Sequence, residues 1–193
     1  MDKYSNYSQL KKSEIEGVDY IIIVRQPRDT RVAIIAPHGG GIEPMTEVIA
    51  DRIAGNEFSL YCFKGCKQNG NRDLHITSHN FDEPRCLALI KNHQWVVTIH
   101  GCCEKGEGVF LGGLDRELIE RLSDALNKID IRVMTKGHKY PATAPMNICN
   151  RGTSKAGVQF ELTPPFRKGS RLPQFVATVR EVLFGLQRMR NLE

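Results

Sequence analysis

The chain has 193 residues, of which 40% are apolar and 25% are charged, a composition typical of one globular domain with its own core. It contains no run of about 18 apolar residues, which argues against a membrane-spanning helix and a membrane partner. The net charge of +5 is spread along the chain and is compatible with a polyanionic substrate. With one Trp and five Tyr, the chain lacks the interleaved basic and aromatic residues of a nucleic-acid-binding surface, so nucleic acid is not the expected partner.

Apolar periodicity divides the chain into alternating strands and helices. Runs rich in β-branched and aromatic residues predict strands at 18–24, 31–36, 58–63, 95–100, 109–113, 131–134 and 158–162. Helical spacing of apolar residues predicts helices at 42–53, at 83–92, at 115–129 and from residue 173 onward. This alternation predicts a single α/β domain over residues 1–193, a sandwich with a central mixed sheet flanked by helices.

Side chains that can bind metal lie at the ends of the predicted strands, where sites of α/β proteins gather. His38 follows strand 31–36, Glu43 opens the next helix after three glycines, and His100 ends strand 95–100. Glu161 lies within strand 158–162 and needs a partner, because burying even a neutral polar group without one costs roughly 2–7 kcal/mol. Two imidazoles and a carboxylate are a common zinc shell, to which a second carboxylate adds a general base. Each residue alone also has a plainer interpretation, such as a hydrogen-bonded structural histidine.

Three other kinds of site share parts of this pattern. The HGGG stretch at 38–41 occurs in esterase oxyanion loops, but the chain has no G-x-S-x-G elbow and no histidine after His138. A phosphate-binding loop needs Lys and Ser or Thr after its last glycine, where this chain has Ile42 and Glu43. The spacing of Cys62, Cys66, His75 and His79 resembles that of a zinc finger, but the gap between Cys66 and His75 is shorter than usual.

With no apolar secretory segment near residue 1, we expect a cytoplasmic location and reduced cysteines.

Taken together, these stretches resemble the poly-γ-glutamate hydrolases found in phages and bacterial genomes. The similarity covers nearly the whole chain and rests on APHGGGIEP (36–44), LHITSHNFDEP (74–84), TIHG (98–101) and NICNRGTSKAGVQFEL (147–162). The resemblance implies a compact fold like that of zinc carboxypeptidases, with one Zn²⁺ per chain. It also implies hydrolysis of the γ-glutamyl amide bonds of polyanionic poly-γ-glutamate. A phage-encoded protein of this kind would leave its host on lysis.

The same resemblance implies that His38, Glu43 and His100 hold the metal and that Glu161 is the base that activates water. The chain departs from the family pattern at Met45, where the family tends to have a small residue. It departs again at positions 102 and 103, which are cysteines where smaller apolar residues are expected. These departures bear on the pocket wall, and so on substrate length and efficiency.

A γ-linked glutamate polymer carries a free α-carboxylate on every residue, and a guanidinium group presents a planar donor fork to it. The resemblance implies that Asn150 and Arg151 bind such a carboxylate. Arg72 is the second arginine candidate, because carboxypeptidases place a similar Asn-Arg pair between their histidine ligands. Tyr140 and His138 lie in the long connection before strand 158–162 and are candidate substrate contacts, with ordinary loop packing as the alternative.

His75 is expected to stand behind a metal ligand and to orient it through a hydrogen bond. Two other functions remain open at this point. One is a zinc amidohydrolase that acts on another γ-glutamyl or cell-wall peptide. The other is a non-catalytic binding protein built on the same fold.

Overall fold

The computed structural model describes residues 2–189, and the seven strands assigned within them form one sheet. The strands are β1 Tyr20–Arg25, β2 Val32–Gly40, β3 Ser59–Gly65, β4 Trp95–Gly101, β5 Val109–Gly113, β6 Val133–Met134 and β7 Val158–Leu162. The α-helices are α1 Tyr7–Leu10, α2 Thr46–Ala54, α3 Pro84–Ile90, α4 Arg116–Asn127, α5 Pro164–Lys168 and α6 Leu172–Met189. Across residues 2–189, no helix combines the length and the apolar content needed to cross a membrane.

The strands are ordered β1-β3-β2-β4-β7-β5-β6. The four central strands β3, β2, β4 and β7 run parallel to one another. Strand β1 is antiparallel to β3, and β5 is antiparallel to β7 and parallel to β6. The sheet is therefore mixed and its centre is parallel, which confirms the predicted fold class.

Two hydrophobic cores lie on opposite faces of this sheet. Helices α2, α4, α5 and α6 cover one face and pack against strand residues such as Ile34 and Val97. Helices α1 and α3 cover the other face and pack against neighbours such as Ile35 and Val96. Because successive side chains of a strand point to opposite faces, β2 and β4 are apolar almost continuously. The functional side chains can then emerge only where these strands end.

The carboxyl ends of the parallel strands meet at one edge of the sheet, and β2 is distorted there. Its pairing with β3 shifts register between Ala36 and Gly39, a bulge that places His38 in irregular backbone. Gly40 follows with a φ of +65°, and a Cβ at this position would collide with the carbonyl of Gly65 on β3. Glycine is therefore required for β2 to turn away at this point.

Next to this edge, one strand and one helix have bounds that differ from the prediction. Strand β2 continues to Gly40, so His38 lies inside the strand rather than after it. Helix α2 begins at Thr46 and not at residue 42, because Met45 before it has a left-handed φ of 78°. A left-handed backbone is unfavourable for methionine and suits glycine, which gives a physical reason why a small residue is expected at this position.

Two short helices are absent from the sequence prediction. Helix α1 has 4 residues and α5 has 5, too few for apolar periodicity to indicate a helix. Pro164 and Pro165 follow the end of strand β7 and form the first turn of α5, where proline is tolerated.

Candidate metal centre and substrate cleft

A cavity of about 530 Å³ opens at the carboxyl ends of the central strands. Strands β2, β4 and β7 supply His38, His100 and Glu161 to its lining, and Glu43 comes from the loop before α2. Other parts of the wall come from residues 72–79, before α3, and from residues 139–144, before β7. The structure thus brings together the four side chains that the sequence indicates as metal ligands and base.

The glycine loop after His38 folds back so that the backbone N–H of Glu43 donates to the carbonyl of His38 at 2.9 Å. This places Glu43 Oε1 3.1 Å from His38 Nδ1, while Glu43 Oε2 accepts a hydrogen bond from the N–H of Gly101 at 2.8 Å. His38 Nε2 lies 2.8 Å from the carbonyl oxygen of Ile76, which can only accept, so Nε2 carries the proton. In the neutral ring the Nδ1 lone pair then faces a carboxylate, and two acceptors at 3.1 Å need a proton or a cation between them.

His100 joins this pair from the end of β4. Its Nδ1 lies 3.1 Å from His38 Nδ1 and 3.5 Å from Glu43 Oε2, and its Nε2 lies 3.3 Å from the hydroxyl of Ser78. A tetrahedral zinc ion with bonds of about 2.1 Å separates its ligand atoms by roughly 3.4 Å, close to these distances. Nitrogen and oxygen donors of this kind suit zinc, so the residues present fit the metal that the family resemblance implies.

His75 stands closer to the cluster than the sequence prediction placed it. Its Nε2 is 3.8 Å from Glu43 Oε1, and its ring centroid is 4.0 Å from that of His38. One donor atom from each of these three residues lies within 4.8 Å of the other two. The structure therefore makes His75 a candidate ligand in its own right, while its role of orienting another ligand stays a prediction.

The surroundings shift the pKa values of two members of this cluster. Burial alone would raise the pKa of Glu43, but His38 and His100 outweigh it and hold this pKa far below its usual range. Burial and the charge of His38 lower the pKa of His75 from 6.5 to about 4. Near neutral pH these shifts keep Glu43 ionised and His75 neutral, which are the forms that bind metal ions.

Glu161 has the opposite electrostatic character. It pairs with His100 in the parallel register of β7 and β4, so both side chains emerge on the same face. Burial, and then the negative charge of Glu43, raise the pKa of Glu161 from 4.5 to about 8. Gln159 donates to Glu161 Oε1 at 3.0 Å, and Asn147 donates to Gln159 at 3.1 Å, which fixes the carboxyl group. A carboxyl group held this way can exchange protons near neutral pH.

The structure does not bring Asn150 or Arg151 into the cavity. The Asn150 side chain is buried and its amide is fully used by backbone groups, donating to the carbonyls of Ala142 and Ala144 and accepting from two N–H groups. Arg151 donates to the carbonyl of Phe81 at 3.0 Å, away from the cavity lining. In this geometry Asn150 holds the loop before β7, and neither residue lines the cavity, so their role as carboxylate contacts stays a prediction.

Two basic side chains are part of the cavity lining. Arg72 is exposed and lines the cavity, and so do Lys139 and Tyr140. Lys139 Nζ and the Tyr140 hydroxyl both donate to Glu104 Oε1, at 3.0 and 3.1 Å. His138 instead lies 3.3 Å from the carbonyl oxygen of Leu111 and is not part of this lining. Of the predicted substrate contacts, Arg72 and Tyr140 are therefore placed where a ligand would pass.

Within residues 2–189, the cysteines do not join a cluster of side chains that could hold a metal ion. All six are free thiols. Cys62 is buried in the core beneath α2, whereas His75 lines the cavity, so the zinc-finger-like spacing is not assembled. Cys102 and Cys103, where the chain departs from the family pattern, both line the cavity and shape its wall.

Arg167 is a buried charged residue that the sequence analysis misses. It lies in α5, and its guanidinium donates to the carbonyl of Pro44, next to Glu43. A Cβ at Gly101 would lie only 2.7 Å from the guanidinium carbon, so glycine at 101 makes room for the arginine. The positive charge of Arg167 also opposes part of the upward pKa shift of Glu161. No local sequence signal connects position 167 with positions 44 and 101.

Fold and cavity together define an α/β protein with candidate metal ligands and a candidate base in a cleft at the carboxyl edge of its sheet. The family model described as poly-gamma-glutamate hydrolase matches residues 4–171 of the chain. The chain therefore belongs to the poly-gamma-glutamate hydrolase family, which confirms the resemblance seen in the sequence.

Similar proteins share both sequence and architecture with this chain. The UPF0714 protein YndL of Bacillus subtilis (strain 168) is 36% identical over 171 residues, covering 86% of this chain and 66% of YndL, slightly less than two thirds. The structure of a bacteriophage poly-gamma-glutamate hydrolase is 29% identical and superimposes with a TM-score of 0.91, covering 100% of both chains. A structure of YndL described as apo and zinc-free is 30% identical with a TM-score of 0.85, covering 95% of this chain and 98% of that one.

Proposed function

We propose that this protein is a zinc-dependent hydrolase that cleaves the γ-glutamyl amide bonds of poly-γ-glutamate. Membership of the poly-gamma-glutamate hydrolase family supports the reaction class. The observation that carries the proposal is the convergence of His38 Nδ1, His100 Nδ1 and the Glu43 carboxylate within 3.1–3.5 Å of one another. Glu161, with its raised pKa, lines the same cavity.

One zinc ion per chain would be held by Glu43 together with imidazoles of the cluster. His38 and His100 are the predicted partners, and His75 is the additional candidate that the structure offers. The description of a YndL structure as zinc-free supports zinc as the metal that relatives bind. The outward hydrogen bond of His38 to Ile76 directs its free ring nitrogen toward the shared position, as metal-ligating histidines require.

When bound, zinc supplies a Lewis acid that polarises an amide carbonyl and lowers the pKa of water toward ~7. Glu161 would accept a proton from the attacking water and return it to the leaving amine, which suits a pKa near the working pH. Gln159 and Asn147 hold the carboxyl group in place for both transfers. Arg167 adds a nearby positive charge that favours the ionised form of Glu161, the form that acts as base.

The substrate would be recognised through its charge. Every residue of a γ-linked polymer carries a free α-carboxylate, and Arg72 and Lys139 present cationic groups at the rim of the cavity. Burial raises the pKa of Tyr140 above its usual value, so its hydroxyl stays protonated. Its one proton is donated to Glu104, and a substrate carboxylate would have to displace Glu104 to accept it. The net charge of +5 adds a general attraction for a polyanion.

The test combines a zinc measurement with digestion of the polymer. Purified wild-type protein should hold one zinc ion per chain and shorten poly-γ-glutamate, losing activity with a chelator and regaining it with zinc. His38→Ala should lose both zinc and activity, whereas the matched histidine control His138→Ala should keep its zinc. Digestion of a γ-glutamyl cell-wall peptide but not of the polymer would reassign the substrate. Zinc retained in His38→Ala would refute the ligand assignment.

A further inference from the structure

We propose that Asp2 is a positioning residue of the metal centre, whose carboxylate holds the His75 ring with its free nitrogen toward Glu43. The inference rests on the proposed function, because it assigns a role toward the metal of that site. Asp2 precedes residues 4–171, the part of the chain that the family model matches, so family membership does not supply this role.

The contacts of Asp2 are short and use both carboxylate oxygens. Asp2 Oδ1 accepts from His75 Nδ1 at 2.8 Å. Asp2 Oδ2 accepts from the backbone N–H of Thr77 and from its hydroxyl, both at 2.6 Å. Two points of attachment fix the plane of the carboxylate. The geometry is that of a carboxylate that accepts hydrogen bonds from three donors.

This arrangement determines which nitrogen of His75 is free. An ionised carboxylate only accepts hydrogen bonds, so Nδ1 of the neutral ring must carry the proton and Nε2 must carry the lone pair. Nε2 is the nitrogen that lies 3.8 Å from Glu43 Oε1, on the side of His38. A carboxylate that accepts from the outer nitrogen of a histidine is a general device for orienting a metal ligand and raising its basicity.

The N-terminal segment that carries Asp2 is attached to the same loop at other points. Lys3 Nζ lies 3.3 Å from Asp73, and the backbone N–H of Tyr7 donates to Asp82 at 2.7 Å. The segment therefore brackets residues 73–82, which include several residues of the cavity wall. Asp2 and Asp82 each form short hydrogen bonds between the N-terminal segment and residues 73–82. Asp2 contacts the His75 ring, whereas Asp82 accepts from the backbone N–H of Tyr7. Asp82 is thus a matched control for the loss of one anchoring carboxylate.

The experiment measures zinc affinity by competition with a chromophoric chelator in wild type, Asp2→Asn, Asp2→Glu and Asp82→Ala. Thermal unfolding of the zinc-free proteins is measured in parallel. Asp2→Asn should weaken zinc binding by about 10- to 100-fold, the usual effect of removing such a partner. Asp2→Glu should recover part of this loss, and Asp82→Ala should stay within about threefold of wild type even where it unfolds at lower temperature.

A second readout needs no zinc. Long-range ¹H–¹⁵N spectra of the zinc-free protein, assigned with His75→Gln, should show His75 protonated at Nδ1 in wild type and a changed tautomer distribution in Asp2→Asn. Unchanged zinc affinity in Asp2→Asn, or an equal loss in Asp82→Ala, would overturn the role of Asp2 while leaving the proposed function intact. Wild-type protein that binds no zinc would overturn both.

Discussion

Replacing Glu161 with glutamine tests the base and its electrostatic environment together. The substitution preserves the shape of the side chain and can keep the hydrogen bond from Gln159, but it removes the ionisable group. Catalysis should fall by roughly 10²- to 10⁴-fold, the usual contribution of a positioned general base. Zinc content should not change, because Glu161 is not among the proposed ligands.

The raised pKa of Glu161 also makes the stability of the zinc-free protein depend on pH. The folded state keeps this proton up to about pH 8, whereas the unfolded chain loses it near 4.5, so the wild-type free energy of unfolding falls as the pH rises through this window. At about 1.4 kcal/mol per pKa unit, the shift corresponds to a cost on the order of 5 kcal/mol above pH 8. Since glutamine does not ionise, Glu161→Gln should gain stability over wild type as the pH rises.

The assay is urea unfolding of zinc-free wild type and Glu161→Gln at pH 5 and at pH 8. The difference between the two proteins isolates Glu161, because the lowered pKa values of Glu43 and His75 are common to both. The stability advantage of the variant should increase by roughly 3 kcal/mol between the two pH values. A difference that does not change with pH would refute the electrostatic reasoning, and near wild-type hydrolysis by Glu161→Gln would refute the assignment as base.

Three further substitutions separate binding, support and packing. Arg72→Ala should raise KM for the polymer by roughly 10-fold with little change in kcat, and it should weaken the salt dependence of KM. An unchanged KM would show that the Arg72 guanidinium is a solvated charge that does not bind the substrate. Asn150→Ala should lower the free energy of unfolding by roughly 3 kcal/mol, because it leaves several buried backbone groups unpaired. The KM of the folded protein should be nearly unchanged. A raised KM at wild-type stability would instead favour a role of Asn150 in binding a substrate carboxylate. Gly101→Ala should lower the free energy of unfolding, measured in urea, by about 1–3 kcal/mol, because the new Cβ would lie 2.7 Å from the Arg167 guanidinium. Wild-type stability of this variant would show that the Arg167 side chain moves aside freely.

The sheet and the residues at its strand ends were predictable because they depend on local patterns. Apolar runs identify parallel strands that are buried on both faces, and a polar residue at the end of such a run must emerge at the edge of the sheet. His38, His100 and Glu161 follow this rule, and the strands that carry them are neighbours in the order β2, β4, β7. Adjacent parallel strands therefore bring together side chains that are more than 60 residues apart in the chain.

The contributions of His75, Arg167 and Asp2 were not predictable in this way. Each depends on contact between segments that no periodic pattern connects, such as Asp2 with residues 75 and 77, or α5 with Pro44. Asn150 shows the converse difficulty. A buried amide that satisfies four backbone groups and an amide that binds a substrate look the same in a polar sequence stretch, and only the hydrogen bonds of the folded chain distinguish them.

Two glutamates in one cavity could in principle exchange roles, and their surroundings argue against this. Both are removed from water, which by itself raises the pKa of each. Glu43 is compensated by two imidazoles and by the N–H of Gly101, so its pKa falls and it stays ionised, as a metal ligand must. Glu161 is buried and faces the resulting negative charge, and the opposing charges of His38 and Arg167 do not offset these two effects, so its pKa rises. Surroundings that lower the pKa of one carboxyl group and raise the pKa of another keep the first ionised and allow the second to gain and lose a proton. This difference supports Glu43 as metal ligand and Glu161 as base.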